Sequence, residues 1–181
     1  MHSGNALIDP YKVFEKIALA PGMRVADLGC GRTGHFVFSA SRVVGATGVV
    51  YAVEIVKNIL ESIKNRVRSE GYDNVQAVWS DIELVGKAPI AAESLDACFL
   101  VNVMFLVKDK LSALKEGTRL LHKGGYLVVT DWARKLGALG PPTELMVDQE
   151  ALKATAREAG LEFSGDCSVG DYHYCLIFKK L

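Results

Sequence analysis

The sequence predicts an α/β domain: a doubly wound, seven-stranded, mostly parallel sheet with helices on both faces and an antiparallel hairpin at its C-terminal end. Three observations carry this prediction. Short runs rich in β-branched and apolar residues alternate with segments of helical periodicity, as parallel strands joined by crossover helices require. The first of these runs, Arg24 to Leu28, leads straight into a glycine-rich turn and then a helical pattern. The last two runs have only Gly170-Asp171 between them, which suits a tight hairpin and is too short for a crossover. The 181 residues suffice for one domain with a sizeable core, and half of them are apolar with 23% charged, as in ordinary globular chains. No repeat, low-complexity tract or linker divides 1–181.

Taken in order, the first helix is expected from Tyr11 to Ala18, with Asp9 as cap and Pro10 at the first helical position. Pro21-Gly22 breaks the chain before strand one, Arg24 to Leu28. A helix over His35 to Val44 and a strand over Gly48 to Glu54 follow. Lys57 to Glu70 carries Ile59, Ile63 and Val67 on one helical face, and Gly71 closes it. Val75 to Trp79 is strand three. Asp81 to Ser94 is weakly patterned and reads as loop or broken helix. Leu95 to Val101 is almost continuously apolar, as a strand buried on both faces should be. A helix from Lys110 to Leu121 ends at Lys123-Gly124-Gly125, and Tyr126 to Thr130 is strand five. Asp148 caps a helix that runs to Gly160, and the closing hairpin pairs Leu161 to Val169 with Tyr172 to Lys179.

Composition narrows the function. Lys plus Arg equals Asp plus Glu at 21 each, and the absence of a basic excess argues against nucleic acid as a partner. Met1 to Pro10 has no apolar h-region, and runs such as Ala97 to Val103 are too short to span a bilayer, so the cytoplasm is the expected compartment. Cys30, Cys98, Cys167 and Cys175 lack CxxC pairing, so no metal site is expected. Cys167 and Cys175 face each other across the expected hairpin, although structural disulfides are rare in a reducing compartment.

The chemistry centres on Val25-Ala26-Asp27-Leu28-Gly29-Cys30-Gly31-Arg32-Thr33-Gly34. Glycines between a strand and a helix let the backbone turn sharply and approach a bound nucleotide, with the helix N–H groups facing it. Glu54 and Asp81 end strands two and three, beside Asp27 at the tip of strand one. A carboxylate at Glu54 can accept both hydroxyls of a ribose, Asp81 can accept an adenine amino group with Ile82 against the ring, and Asp27 can hold a cationic amine. A lone acid after a strand is more often a turn former or cap; three in register beside the glycines reverse that reading. A nicotinamide-dependent oxidoreductase shares the glycine turn and the second-strand acid, yet Asp27 would repel its pyrophosphate.

These residues resemble those of class I (Rossmann-like) S-adenosylmethionine-dependent methyltransferases over nearly the full chain. VADLGCG matches the family's first motif, VYAVE its second-strand acid, SDI its adenine-side motif and LLHKGGYLVV its strand-five region. IDPYKVFEKIALAPGMRVADLGCG, TDWARK, GPP and DYHYCLIFKK are similar to small proteins related to the ubiquinone/menaquinone-biosynthesis methyltransferases. In one departure, Arg32 separates the second glycine from the threonine-glycine pair, which leaves the part played by Gly34 open. The resemblance implies S-adenosyl-L-methionine as cofactor, bound by Asp27, Gly29, Cys30, Gly31, Gly34, Glu54, Ile55, Asp81, Ile82 and Asn102. It also implies in-line transfer of the sulfonium methyl, which an apolar, water-poor pocket favours.

Acceptor-side candidates are fewer and weaker. His35, Asp131 and His173 are the candidates for a proton-handling role, and Tyr11, Phe105, Trp132 and Tyr172 for an aromatic substrate wall, with residues 1–20 as a helix on that side. Each also has a plain alternative: helix start for His35, turn former for Asp131, solvated strand residue for His173. Leu136 to Thr143, punctuated by glycine and proline, reads as a lid. With few insertions to cover an acceptor, either the acceptor is a small molecule or a partner, such as a second copy in a homodimer, completes the pocket. A non-catalytic cofactor-binding protein also accommodates the motif.

Overall fold

The computed structural model describes residues 7–181, so the first six positions of the 1–20 segment lie outside the described residues. The element order is α1 (Pro10–Lys16), β1 (Arg24–Leu28), α2 (His35–Val44), β2 (Val49–Glu54), α3 (Lys57–Glu70), β3 (Val75–Trp79) and β4 (Leu95–Val101). It continues through α4 (Lys110–Leu120), β5 (Leu121–Trp132), a 3₁₀ turn at Thr143–Leu145, α5 (Gln149–Glu158), β6 (Leu161–Asp166) and β7 (His173–Lys180). The seven strands form one sheet in the order β3-β2-β1-β4-β5-β7-β6, parallel from β3 to β5 and antiparallel at β7 and β6. This is the doubly wound architecture that the alternating pattern implies. The order reverses between β1 and β4, which is where ligands bind at the strand ends in such sheets.

Each face of the sheet has its own core. Val25, Val50, Phe99 and Val128 point toward α1, α2 and α3, whereas Leu28, Val53, Leu100 and Leu127 point toward α4 and α5. Phe99 is fully buried and packs edge to tilted against Phe14 and Phe36, with ring centroids 5.5 Å away in both cases. That triad fixes α1 and α2 to the middle of the sheet. Asp9, Asp109 and Asp148 each accept a backbone N–H at the start of a helix, so the caps lie where side-chain chemistry places them.

Residues 81–94 form a loop of turns, one of the two readings their weak patterning allows, and the structure departs from sequence expectation in two other places. Glu116 of α4, fully buried, accepts the Gly86 N–H at 2.7 Å and pairs with Arg119, which donates to the carbonyls of Ala88 and Ile90. This clamp satisfies backbone groups that a helix would otherwise have satisfied internally. Helix α4 also passes into β5 without a loop. Leu121 pairs with Leu95, and the glycines expected to end the helix instead lie inside the strand, opposite a register shift between Leu95 and Ala97.

The second departure is the closing hairpin, which is not tight at Gly170-Asp171. Its strands separate after Asp166 and resume at His173. The intervening loop folds back on the N-terminal segment: Val169 is buried and its carbonyl accepts the Asp9 N–H at 3.1 Å.

Candidate active site

The glycine turn follows β1 as a close-fitting bend. Gly29 (φ 82°) and Gly31 (φ 64°) both occupy left-handed conformations that L side chains rarely adopt. A Cβ on Gly29 would lie 2.7 Å from Val103, whereas one on Gly31 would meet nothing within 4 Å. The turn is therefore packed on its β4 side and open at Gly31. The N–H groups of Gly29 and Cys30 both donate to the Val53 carbonyl, at 2.9 and 3.0 Å, which ties the turn to β2.

Glu54, at the end of β2, is buried and braced from two sides: its oxygens accept the Gly31 N–H at 3.1 Å and the Val56 N–H at 2.9 Å. Each carboxylate oxygen retains a second lone pair, so the pair can still accept two hydroxyls. Asp27 is 3% exposed, and its Oδ1 has no hydrogen-bond partner among the described residues. Burial, and secondarily the charge of Glu54, push its carboxyl up to about 8.

A cavity of about 750 Å³ opens at these strand ends. Gly29, Gly31, Glu54, Ile55, Asp81, Ile82 and Asn102 line it. Asp81 accepts the Glu83 N–H at 2.9 Å. Asn102 turns through φ 51°, with its N–H on the Thr130 carbonyl at 2.8 Å. Val56, Ile59, Val103 and Leu106 make much of the wall apolar. Nothing in the sequence marks these four, because an apolar residue after a strand or on a helix reads as core.

Three of the expected cofactor residues do not line this cavity: Asp27, which is buried near the end of β1, Cys30 and Gly34. Cys30 is buried in the core beneath the turn. Gly34 is the left-handed cap of α2, where a Cβ would lie 2.7 Å from Phe38 and 2.9 Å from Ile63. The extra residue Arg32 thus moves Gly34 into a packing role between α2 and α3.

The acceptor-side candidates separate into three groups. Phe105 and Trp132 line the cavity together with Gly140, Pro141 and Pro142 of the expected lid and Leu145 of the 3₁₀ turn after it. Gly140 (φ 96°) lies on the Trp132 ring, where a Cβ would come within 3.1 Å. Asp131 is buried beneath this wall; it accepts the N–H of Trp132 at 2.8 Å and of Phe105 at 3.3 Å. Burial raises its carboxyl to about 6 against those bonds.

His173 is buried rather than solvated, because β7 lies between β5 and β6 and not at the sheet edge. Its ring stacks on Trp132 with centroids 4.3 Å apart, and burial lowers it to about 4, so the imidazole is neutral near pH 7. Tyr11 and His35 line a second cavity of about 590 Å³ between the N-terminal segment and α2. The His35 Nε2 there is 2.9 Å from the Ile8 carbonyl. Tyr172 lines neither cavity; the Arg134 guanidinium lies 5.1 Å from its ring.

The donor set suits S-adenosylmethionine. The buried Asp27 carboxyl, with its Oδ1 unpartnered among the described residues, matches an ammonium group, a braced acid at Glu54 matches a ribose diol, and the apolar wall matches an adenine and a sulfonium losing its charge. A pyrophosphate would have to sit beside two buried acids.

Comparison with known proteins agrees. The sequence profile of the methyltransferase domain family matches residues 19–179. Methyltransferase GfsG of Streptomyces halstedii is 30% identical over 146 residues, covering 81% of this chain and 50% of that protein. The demethylmenaquinone methyltransferase of Staphylococcus aureus is 34% identical over 118 residues, covering 65% of this chain and 46% of that protein. The chain thus spans about half the length of these curated relatives. The crystal structure of an S-adenosylmethionine-dependent methyltransferase from Aquifex aeolicus superposes with a TM-score of 0.88 at 25% identity, over 100% of this chain and 94% of that one. No helix among the described residues is long and apolar enough to cross a membrane. The chain belongs to the methyltransferase domain family, with S-adenosylmethionine as the cofactor that its strand-end acids and glycine turn suit.

Proposed function

We propose that the protein transfers a methyl group from S-adenosylmethionine to a small-molecule acceptor. The observation that carries this reading is the braced Glu54 on the wall of a cavity with an apolar far side, with Asp27, whose Oδ1 has no partner among the described residues, buried beside it at the end of β1. The cofactor supplies a methyl group on a sulfonium, whose positive charge is lost in the transfer. In the residue roles that follow, Asp27 holds the cationic amine, Glu54 the ribose hydroxyls, and Asp81 with Ile82 the adenine. Gly29 and Gly31 keep the turn low enough for that approach. Phe105 and Trp132 face the acceptor, and the loop carrying Pro141 and Pro142 excludes water from it.

Asp131 works as a positioning residue in this account. Its two oxygens hold Phe105 and Trp132 through their N–H groups and leave it no direct part in the chemistry. A small acceptor suits a wall made from short loops. The names of the relatives point the same way, since the demethylmenaquinone methyltransferase acts on an organic small molecule. Incubation with methyl-labelled S-adenosylmethionine and a panel of small phenols, enols and amines tests the reading. Label recovered in an organic product supports it. Label recovered only in protein or RNA from an added extract, with none in small molecules, would contradict it.

A further inference from the structure

The ends of β6 and β7 hold a feature that methyl transfer does not use. Asp166 pairs with Leu176, so the next step along the hairpin sets Cys167 opposite Cys175, and the Cys167 N–H donates to the Cys175 carbonyl at 3.3 Å. Both side chains lie on the same core face of the sheet, and both thiols are free. Cys175 is buried, whereas Cys167 is half-buried and open to small reagents. Cys30, in the glycine turn, and Cys98, on β4, are both buried.

The pair stands at the base of the 167–172 loop, which is a joint between two other segments. The Val169 carbonyl holds the Asp9 N–H at 3.1 Å, and Gly170 lies against the Leu7 carbonyl. The Tyr172 carbonyl accepts the N–H groups of Ala133 and Arg134, at 2.8 and 3.3 Å, where the lid leaves β5. The N-terminal segment and the root of the lid therefore hang from one short loop.

We propose that Cys167 and Cys175 are a redox-active pair that a hydroperoxide converts to a disulfide, fixing the 167–172 loop and, through it, the N-terminal segment and the lid root. The Cys167 thiolate attacks the peroxide, the O–O bond breaks, and a sulfenic acid forms with release of hydroxide, which takes up the thiol proton as water. The Cys175 sulfur then attacks that sulfenic sulfur, the S–S bond forms, and a second water leaves. Two electrons pass from the two sulfurs to the peroxide. The order of attack follows from the surroundings: the Cys175 thiol opposite and the charge of Lys16 favour the Cys167 thiolate, while the buried Cys175 thiol is held protonated. Residues directly opposite each other on antiparallel strands have Cα atoms within the range a disulfide spans, so a side-chain rotation can bring the sulfurs to bonding distance.

This inference stands on the hairpin geometry and is independent of the methyltransferase reading. Its test is to treat the reduced protein with hydrogen peroxide, count thiols in denaturant, map the linkage by mass spectrometry, and follow amide hydrogen exchange. The expected result is loss of two of the four free thiols, a 167–175 linkage reversed by dithiothreitol, and slower exchange at Asp9 and Ala133. Cys167→Ser, at the half-buried position, should fold normally and keep Cys175 reduced. Sulfinic acid on Cys167 with Cys175 unreacted would overturn the proposal. So would a linkage to Cys30 or between molecules, or a 167–175 linkage that leaves exchange unchanged.

Discussion

Asp27 is the residue on which the site's electrostatics turn. Its burial and the charge of Glu54 push its carboxyl up to about 8, against 3.8 for an ordinary carboxyl, and its Oδ1 has no partner among the described residues. Because the folded value is raised, its contribution to stability is full below pH 3.8 and is lost as pH rises through about 8. A cationic amine bound against it favours the ionised form. Cofactor binding near pH 7 should therefore release close to one proton, and affinity should rise from pH 6 to pH 8. Titration calorimetry at pH 7 in two buffers of different ionisation enthalpy measures that proton. Asp27→Asn should bind more weakly and abolish the release; an unchanged release would place the proton elsewhere. Glu54 and Asp81 were legible in the sequence because a strand end fixes where its last side chain points. His35 and His173 were not, since their surroundings, the Ile8 carbonyl and the Trp132 ring, come from segments far away in the chain.

At the scale of elements, the acceptor side is built from loop ends that one another's backbones hold in place. Asp131 gathers the β4 and β5 exits, and Gly140 seats the lid on Trp132. Gly140→Val should lift that loop, because its φ of 96° and the ring beneath both oppose a side chain. The expected result is a shift in Trp132 fluorescence and faster proteolysis between residues 135 and 145, with cofactor affinity within about threefold of the parent, as befits a site formed on other strands. Loss of cofactor binding in this variant would show that the lid holds cofactor as well as acceptor. That the 136–143 loop borders the cavity was legible from its glycine and proline punctuation. The open loop at 167–172 was not, because Gly170-Asp171 has local turn chemistry that the buried Val169 and its bond to Asp9 override. The same override by long-range pairing carried α4 straight into β5.

For the whole molecule, the sheet with two faces of apolar residues positions everything else. The strand order follows from alternating patterns and from β4, whose apolar run is buried on both sides. Phe99 joins β4 to α1 and α2 through Phe14 and Phe36. Phe99→Ala should cost about 3–5 kcal/mol of stability, read as a lower denaturant midpoint. A loss below about 1 kcal/mol would mean that the aromatic triad relaxes into the space it leaves.

The central claim is that the acids at the ends of β1 and β2 recognise S-adenosylmethionine, and one calorimetric comparison tests it. The purified protein and Glu54→Gln are titrated with S-adenosylmethionine, S-adenosylhomocysteine and NAD; Gln keeps the side chain's size and one acceptor oxygen. The account predicts saturable binding of the first two ligands, about 10- to 100-fold weaker in the variant as expected for hydrogen bonds to a charged group, and none of NAD. Binding of NAD in preference to both, or affinity for S-adenosylmethionine unaltered by Glu54→Gln, would contradict it.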